Sequence, residues 1–368
     1  MFAPPNWEKT RERFIAWWNH SCLDRPLVGL QVRRDMPVAG APEPAPPTTP
    51  EERFLDIERI VRNRRAREGT NMGMGEWFPV LDANVGAGSL ALYLGCEPGL
   101  SMETVWFKEC IDDWSTFEGF RYDGTNYWWN RHRDMMRKAV ELVGDDFVVA
   151  IPDLVENLDI LAAMRGTQKL CMDLVMEPDA VHKALEQLDS VYFEYYDRMY
   201  DIVKLPDNSS VYTAFGIWGP GKVAKVQCDF CALISPEHFR EFVVPSLRRQ
   251  CATLDFSLFH LDGPDAVKHV DALMEVGDLD ALQFEYGAGN PEGGHECWYP
   301  IYDKVRAAGK SLEICVDAGN TDRALERADR IIKRYGPDGI FFAFRPLLSQ
   351  EQGERILSHA DLHWRCKG

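Results

Sequence analysis

Ionisable side chains recur at the ends of apolar runs in this chain, and their types define the chemistry it can attempt. FSLFHLD carries His260 and Asp262, ALQFEYG carries Glu285, SLEICVD carries Cys315 and Asp317, and GIFFAFR ends in Arg345. Two earlier runs end in the same way, EWFPVLDA near Asp82 and FVVAIPD at Asp153. Charge beside an apolar core must be solvated or paired, so repeated endings of this kind are costly for stability alone and point to a site. Imidazole, carboxylate and thiolate are ligands that zinc accepts, and catalytic zinc takes about three protein ligands with one position open. His260, Asp262, Glu285 and Cys315 are therefore the candidate ligands of a divalent metal, with zinc the expected ion. Residues 260 and 262 stand two apart in an extended run and share one side of it. A reading without metal also fits, with a hydrogen-bonded His–Asp pair beside an ordinary buried cysteine.

Three further features accompany that set. The glycine-rich loop GAGNPEGGH ends in His295, which could act as acid or base or simply be a loop histidine. Arg345 could fork onto a substrate carboxylate or phosphate, or pair with Asp317 or Glu285. Cys228 and Cys231 form a C-x-x-C, but one such pair lacks the second half of a structural zinc site.

The elements that must position these residues follow from periodicity. Residues 7–20 read as an amphipathic helix, with Trp7, Phe14 and Trp18 at roughly helical spacing. A short strand, PLVGLQV, comes next, and the proline-rich stretch 37–50 reads as a loop. Strand-like runs at 76–83, 147–153, 211–217, 256–262, 281–287, 311–317 and 339–345 then alternate with helical segments. With PLVGLQV they make eight strands, which predicts an α/β chain folded as a single (β/α)8 TIM barrel over residues 1–368. The barrel would carry an N-terminal helical extension, 1–24, and an aromatic-rich elaborated connection, 84–140, at its mouth. An open doubly wound sheet is the rival, but no glycine-rich phosphate turn follows an early strand. In parallel barrels catalytic groups sit at the carboxyl ends of strands, where the residues above are expected.

Composition narrows the partners. A net charge of −17 argues against nucleic acid and anionic membrane surfaces, both of which reward Lys and Arg. No apolar run approaches membrane-spanning length, and no basic start followed by an apolar stretch suggests a signal peptide. Ten cysteines without a repeating framework suit a reducing cytoplasm. A small-molecule substrate is expected, and a homodimer is compatible with the sequence.

The segment from Gln227 through Leu247, followed by FHLDG, resembles the uroporphyrinogen-decarboxylase-like superfamily, which includes corrinoid-linked methyltransferases. The matching pattern D-x-x-x-x-S-P-x-x-F-x-x-F-x-x-P is carried by Asp229, Ser235, Pro236, Phe239, Phe242 and Pro245. In the zinc methyltransferase branch the ligands read His-x-Cys, then Glu about twenty residues on, then Cys. His260 and Glu285 keep that order, Asp262 stands in place of the first cysteine, and Cys315 lies one strand early for the last. Carboxylate in place of thiolate hardens the site and favours harder divalent ions. The resemblance implies methyl transfer between a small substrate or methylated corrinoid protein and an acceptor, with Asp229, His295 and Arg345 orienting groups and exchanging protons. No D-x-H-x-x-G motif occurs, so a corrinoid would arrive on a separate partner protein rather than bind this chain. The metal-free decarboxylase branch uses an aspartate after an early strand, a place comparable to that of Asp82. A lyase acting on a small carboxylated or polyhydroxylated compound, or a non-catalytic ligand-binding barrel, are the alternatives.

Overall fold

The computed structural model describes residues 6–155, 157–212 and 214–366. Helix Trp7–Trp18 turns Trp7, Phe14, Trp17 and Trp18 inward, as the spacing predicts. Thirteen strands follow among the described residues. They are β1 (Leu27–Arg33), β2 (Asn71–Gly75), β3 (Val80–Leu81), the hairpin β4 (Pro98–Leu100) and β5 (Val105–Phe107), and β6 (Val148–Val149). The hairpin β7 (Ser209–Tyr212) and β8 (Ile217–Pro220) leads to β9 (Val223–Gln227), β10 (Phe256–Asp262), β11 (Ala281–Glu285), β12 (Ser311–Asp317) and β13 (Ile340–Ser349).

Seven strands form one sheet in the order β2-β1-β13-β12-β11-β10-β9. Every pairing in it is parallel except β1 with β2. β3 pairs with β6 in parallel, and Ile151 bridges in parallel to Tyr212. The protein is thus an α/β fold with a mostly parallel sheet and helices packed around it. Hydrogen-bonded pairing among the described residues does not join the two ends of the seven-stranded sheet, so the eight expected strands are realised unequally. The 256–262, 281–287, 311–317 and 339–345 runs form long strands, whereas the 76–83 and 147–153 runs contribute two residues each.

The fourth expected strand, 211–217, breaks in two. Phe215 at φ 66° and Gly216 at φ 61° turn the chain back, and β8 returns antiparallel to β7. Trp218 lies within β8, where its backbone carbonyl accepts from Trp18 Nε1 at 2.9 Å. The strand beside β10 is β9, whose VAKVQ sequence hides because Lys225 and Gln227 are residues normally left in water. Both are buried here.

Between residues 84 and 140 the chain forms the β4–β5 hairpin and most of helix Tyr127–Val143. Trp129 is buried, while Trp106 is half exposed. Cys22 and Cys366 are joined in a disulfide that fastens the chain's two ends, a bond the scatter of cysteines did not suggest. No helix among the described residues is long and apolar enough to cross a membrane.

Candidate metal centre

β10 ends the FSLFHLD run at Gly263, whose φ of 78° lets the chain leave the sheet sharply. The Gly263 N–H donates to the Glu285 carbonyl at 2.9 Å, which locks the exits of β10 and β11 together. Alternation along β10 sends His260 and Asp262 to one side. In register, His260 stands between Gln227 on β9 and Gln283 on β11, and Gln283 stands beside Glu313 on β12. A row of polar residues therefore crosses four adjacent strands on one face.

Potential ligand atoms of Asp229, His260 and Asp262 all lie within 4.8 Å of one another. Asp229 reaches this cluster because it begins a short 3-10 turn, Asp229–Leu233, just after β9. The Asp159 carboxylate fixes that turn, accepting from Asp229 N and Phe230 N at 2.8 Å each. Gln227 Nε2 donates to Asp159 at 3.2 Å and to Asp229 Oδ2 at 3.1 Å. Gln227 Oε1 in turn accepts from Lys225, whose Nζ also donates to Asp153 at 2.7 Å. Tyr212 donates to the other Asp153 oxygen at 3.2 Å. Asp229 is thus held by a chain of hydrogen bonds that runs down into the sheet.

His260 is fixed from the other side. Its Nδ1 lies 2.5 Å from Gln283 Oε1, which can only accept, so Nδ1 carries the proton and Nε2 keeps its lone pair. A ring nitrogen oriented this way is the arrangement found for metal-bound histidine. Burial pushes the His260 pKa down, with Lys225 acting in the same direction against the Gln283 hydrogen bond. The neutral, ligating form is thereby favoured. Phe215 lays its ring 5.1 Å from the imidazole, at the strained turn between β7 and β8. Asp229 touches solvent, yet desolvation by its surroundings and the nearby Asp159 and Asp262 carboxyls push its pKa up to about 7. Carboxyl groups crowded in this way hold a proton more readily, and a cation bound among them would reverse that shift. One imidazole and two carboxylates with a free approach fit a hard or borderline divalent ion holding an open position.

The other expected residues lie around this triad. Glu285 is the register partner of Asp262, and buried Cys315 sits two residues beyond Glu313 on β12. Neither joins the cluster; among the described residues its members are Asp229, His260 and Asp262. Burial pushes the Cys315 thiol up to about 12, so it is not preformed as thiolate. Arg345 is exposed, in register with Asp317, and its charge acts on both Cys315 and Glu313. His295 accepts from Cys297 N at 3.2 Å, capping the turn Glu296–Trp298. Asp82 is exposed and lines a separate cavity of about 340 Å³ with Asn84 and Glu103. Cys228 and Cys231 are both buried, and burial raises both thiols.

Beside the triad opens a cavity of about 450 Å³ whose lining includes Gly88, Phe107, Ile160, Leu233, Gln227 and Asp229. Asp229 belongs to both the cavity and the cluster, so a molecule bound there meets the ion's position. Nothing in the residue pattern marked Asp159, Gln227 or Gln283 as supporting residues. Their signal, polar residues inside strand-like or helical apolar runs, is the same one that concealed β9.

No protein-family model matches the sequence, and no curated protein matches it either. Among solved structures the fold is similar to that of a methyltransferase from Methanosarcina mazei. The TM-score is 0.61 at 13% identity, over 96% of this chain and 98% of that one. The chain therefore shares, over nearly its whole length, the fold on which that methyltransferase is built.

Proposed function

We propose that this chain is a metal-dependent methyltransferase of the uroporphyrinogen-decarboxylase-like group. The carrying observation is the Asp229–His260–Asp262 cluster at the carboxyl ends of β9 and β10, opening onto a cavity. The shared fold with a methyltransferase supports the same reading. In this reading the sheet is the larger part of a (β/α)8 barrel wall, a view supported by the parallel β3–β6 pair and the Ile151–Tyr212 bridge.

Asp229, His260 and Asp262 would hold a divalent ion, with zinc the first candidate; Glu285 and Cys315, the other expected ligands, lie outside this cluster. Such an ion lowers the pKa of an acceptor or polarises a substrate. The chain's own residues prepare that position. Gln283 keeps His260 in one tautomer, Asp159 and Gln227 aim Asp229, and the Phe215 ring covers the imidazole. A methyl group would pass from a small substrate or a methylated corrinoid protein to a nucleophilic acceptor, the bonding pair staying with the group it leaves. The corrinoid would come on a partner protein.

Elemental analysis of the purified protein, beside His260→Ala and Asp229→Asn, tests the ion. Near-stoichiometric metal in the native chain and its loss in both variants is the expected result. Demethylation of methylcobalamin by a thiol, followed by its visible spectrum, tests the transfer. A metal-free native protein, or a loaded one that leaves methylcobalamin untouched, would move the reading to the lyase alternative around Asp82.

A further inference from the structure

Two cysteines meet at the open end of the β4–β5 hairpin. Cys96 lies just before β4 and Cys110 just after β5, and their Sγ atoms are 3.3 Å apart. Backbone hydrogen bonds hold both positions. Cys96 N donates to Ala91 O at 2.9 Å, and Cys110 N donates to Met164 O at 2.8 Å. Between them, Lys108 N donates to Glu97 O at 2.9 Å and extends the hairpin's pairing towards the two sulfurs. Cys96 is buried, whereas Cys110 is exposed. Cys228 and Cys231, the other pair close in sequence, are both buried. No third His, Cys, Asp or Glu joins Cys96 and Cys110 to make a metal-holding group; among the described residues such a group is formed by the Asp229 triad.

The two thiols are therefore set for sulfur chemistry with each other. The hydrogen bond from Cys96 draws the Cys110 pKa down, against desolvation and the Asp112 charge, and the same contact together with burial pushes that of Cys96 up. Cys110 is thus the thiol that ionises first and meets solvent, as an attacking sulfur must. We propose that Cys96 and Cys110 form a reversible disulfide that closes the base of the hairpin, with low-molecular-weight disulfides as the oxidant. The Cys110 thiolate attacks one sulfur of the oxidant, forming a mixed disulfide and releasing one small thiolate. The Cys96 sulfur then loses its proton and attacks Cys110 Sγ, and the second small thiolate leaves and takes up a proton. Two protein thiols are oxidised by two electrons while one small disulfide is reduced to two thiols, and excess small thiol runs both steps backwards. The hairpin's place gives this bond a consequence. Phe107 lines the cavity beside the triad, Glu103, Thr104 and Val105 line the one that holds Asp82, and Ala87 lines both. The clamp acts on a wall common to the two cavities, whichever of them does the chemistry.

The full chain is incubated with oxidised and reduced glutathione at graded ratios, quenched with acid, alkylated, digested and read by mass spectrometry. A linked Cys96–Cys110 peptide is expected to rise with the oxidised fraction and to vanish in excess reduced glutathione. Cys96→Ser should accumulate glutathione on Cys110, which traps the first step, whereas Cys110→Ser should leave Cys96 unmodified. In the oxidised native chain, hydrogen exchange of the Val105–Phe107 amides should slow by about 5-fold or more relative to the reduced chain, because a closed loop opens less often. Absence of the linked peptide, linkage that excess thiol does not reverse, glutathione on Cys96 in place of Cys110, or unchanged exchange in the hairpin would overturn the inference.

Discussion

The two ends of the sheet are built on opposite principles. At the amino ends of the strands, Trp17 lies edge-on to Phe341, at ring centroids 5.9 Å apart, and Trp18 stacks on Phe256 at 5.1 Å. Phe14 meets Phe78, Trp218 and Phe341 in the same cluster, and each of these side chains except Phe256 is buried. The indole N–H groups find backbone carbonyls, Trp17 at Leu312 and Trp18 at Trp218. Further along, the same strands carry Gln283 and Glu313 in their interior stretches and His260, Asp262 and Cys315 towards their carboxyl ends. The first end gains stability chiefly from apolar area, though the Nε1 of its third buried indole, Trp218, has no hydrogen-bond partner among the described residues. From the strand interiors to the carboxyl ends the sheet carries buried polar groups, one of them incompletely paired: Glu313 Oε2 has no hydrogen-bond partner among the described residues. A parallel sheet of this kind separates stability from chemistry along its strands.

That contrast can be broken most forcefully at the amino end. Trp17→Ala should cost about 3–5 kcal/mol of stability, as large-to-small changes of buried aromatics do. Denaturant unfolding reads the loss, and the surviving folded protein should retain its metal affinity. A loss under about 1 kcal/mol would mean that the aromatic cluster is not what holds this end. His260→Ala is the mirror experiment, with metal affinity falling about 100-fold or more while unfolding free energy changes by no more than about 1–2 kcal/mol. Equilibrium dialysis against zinc, paired with the same unfolding measurement, decides it.

Glu313 sharpens the comparison through pH. Burial pushes its carboxyl up to about 8, Glu285 adding to the shift and Arg345 opposing it, from an ordinary value of 4.5. Between those values the folded chain holds a proton that the unfolded chain has released, so this group's contribution falls as pH rises from 4.5 to about 8. Glu313→Gln should therefore stabilise the protein by roughly 2 kcal/mol at pH 8, with the gain fading towards pH 4.5. A gain independent of pH would show that the carboxyl is not neutral in the folded state. The smallest expected effect is that of Gln283→Leu, which frees the His260 ring. Zinc affinity should drop by about 10-fold, the lower range for loss of a residue that orients a ligand. Unchanged affinity would show that another contact sets the tautomer.

Much of this was legible in the residues. The four long carboxyl-half strands are continuous apolar runs bounded by turn residues, and burial on both faces leaves few other ways to satisfy them. The ionisable residues at their ends followed from that reading, and His260 with Asp262 came from two-residue spacing alone. Helix Trp7–Trp18 was equally plain, because one face repeats large apolar side chains at helical spacing. The first half of the sheet was not. β3 and β6 are two residues each, and the chain between Val211 and Pro220 turns back at a non-glycine residue with positive φ, which no local rule demands.

By itself the sequence determined an α/β chain, an aromatic N-terminal helix and a set of chemically capable strand ends, because periodicity and turn residues act locally. Only the tertiary structure decided which of those ends meet. It drew Asp229 to His260 and Asp262 through Asp159, a residue 70 positions away, and through a lysine and a glutamine buried in β9. Buried polar residues are tolerated when partners from distant elements complete their hydrogen bonds, and such partnerships leave no periodic trace in the chain.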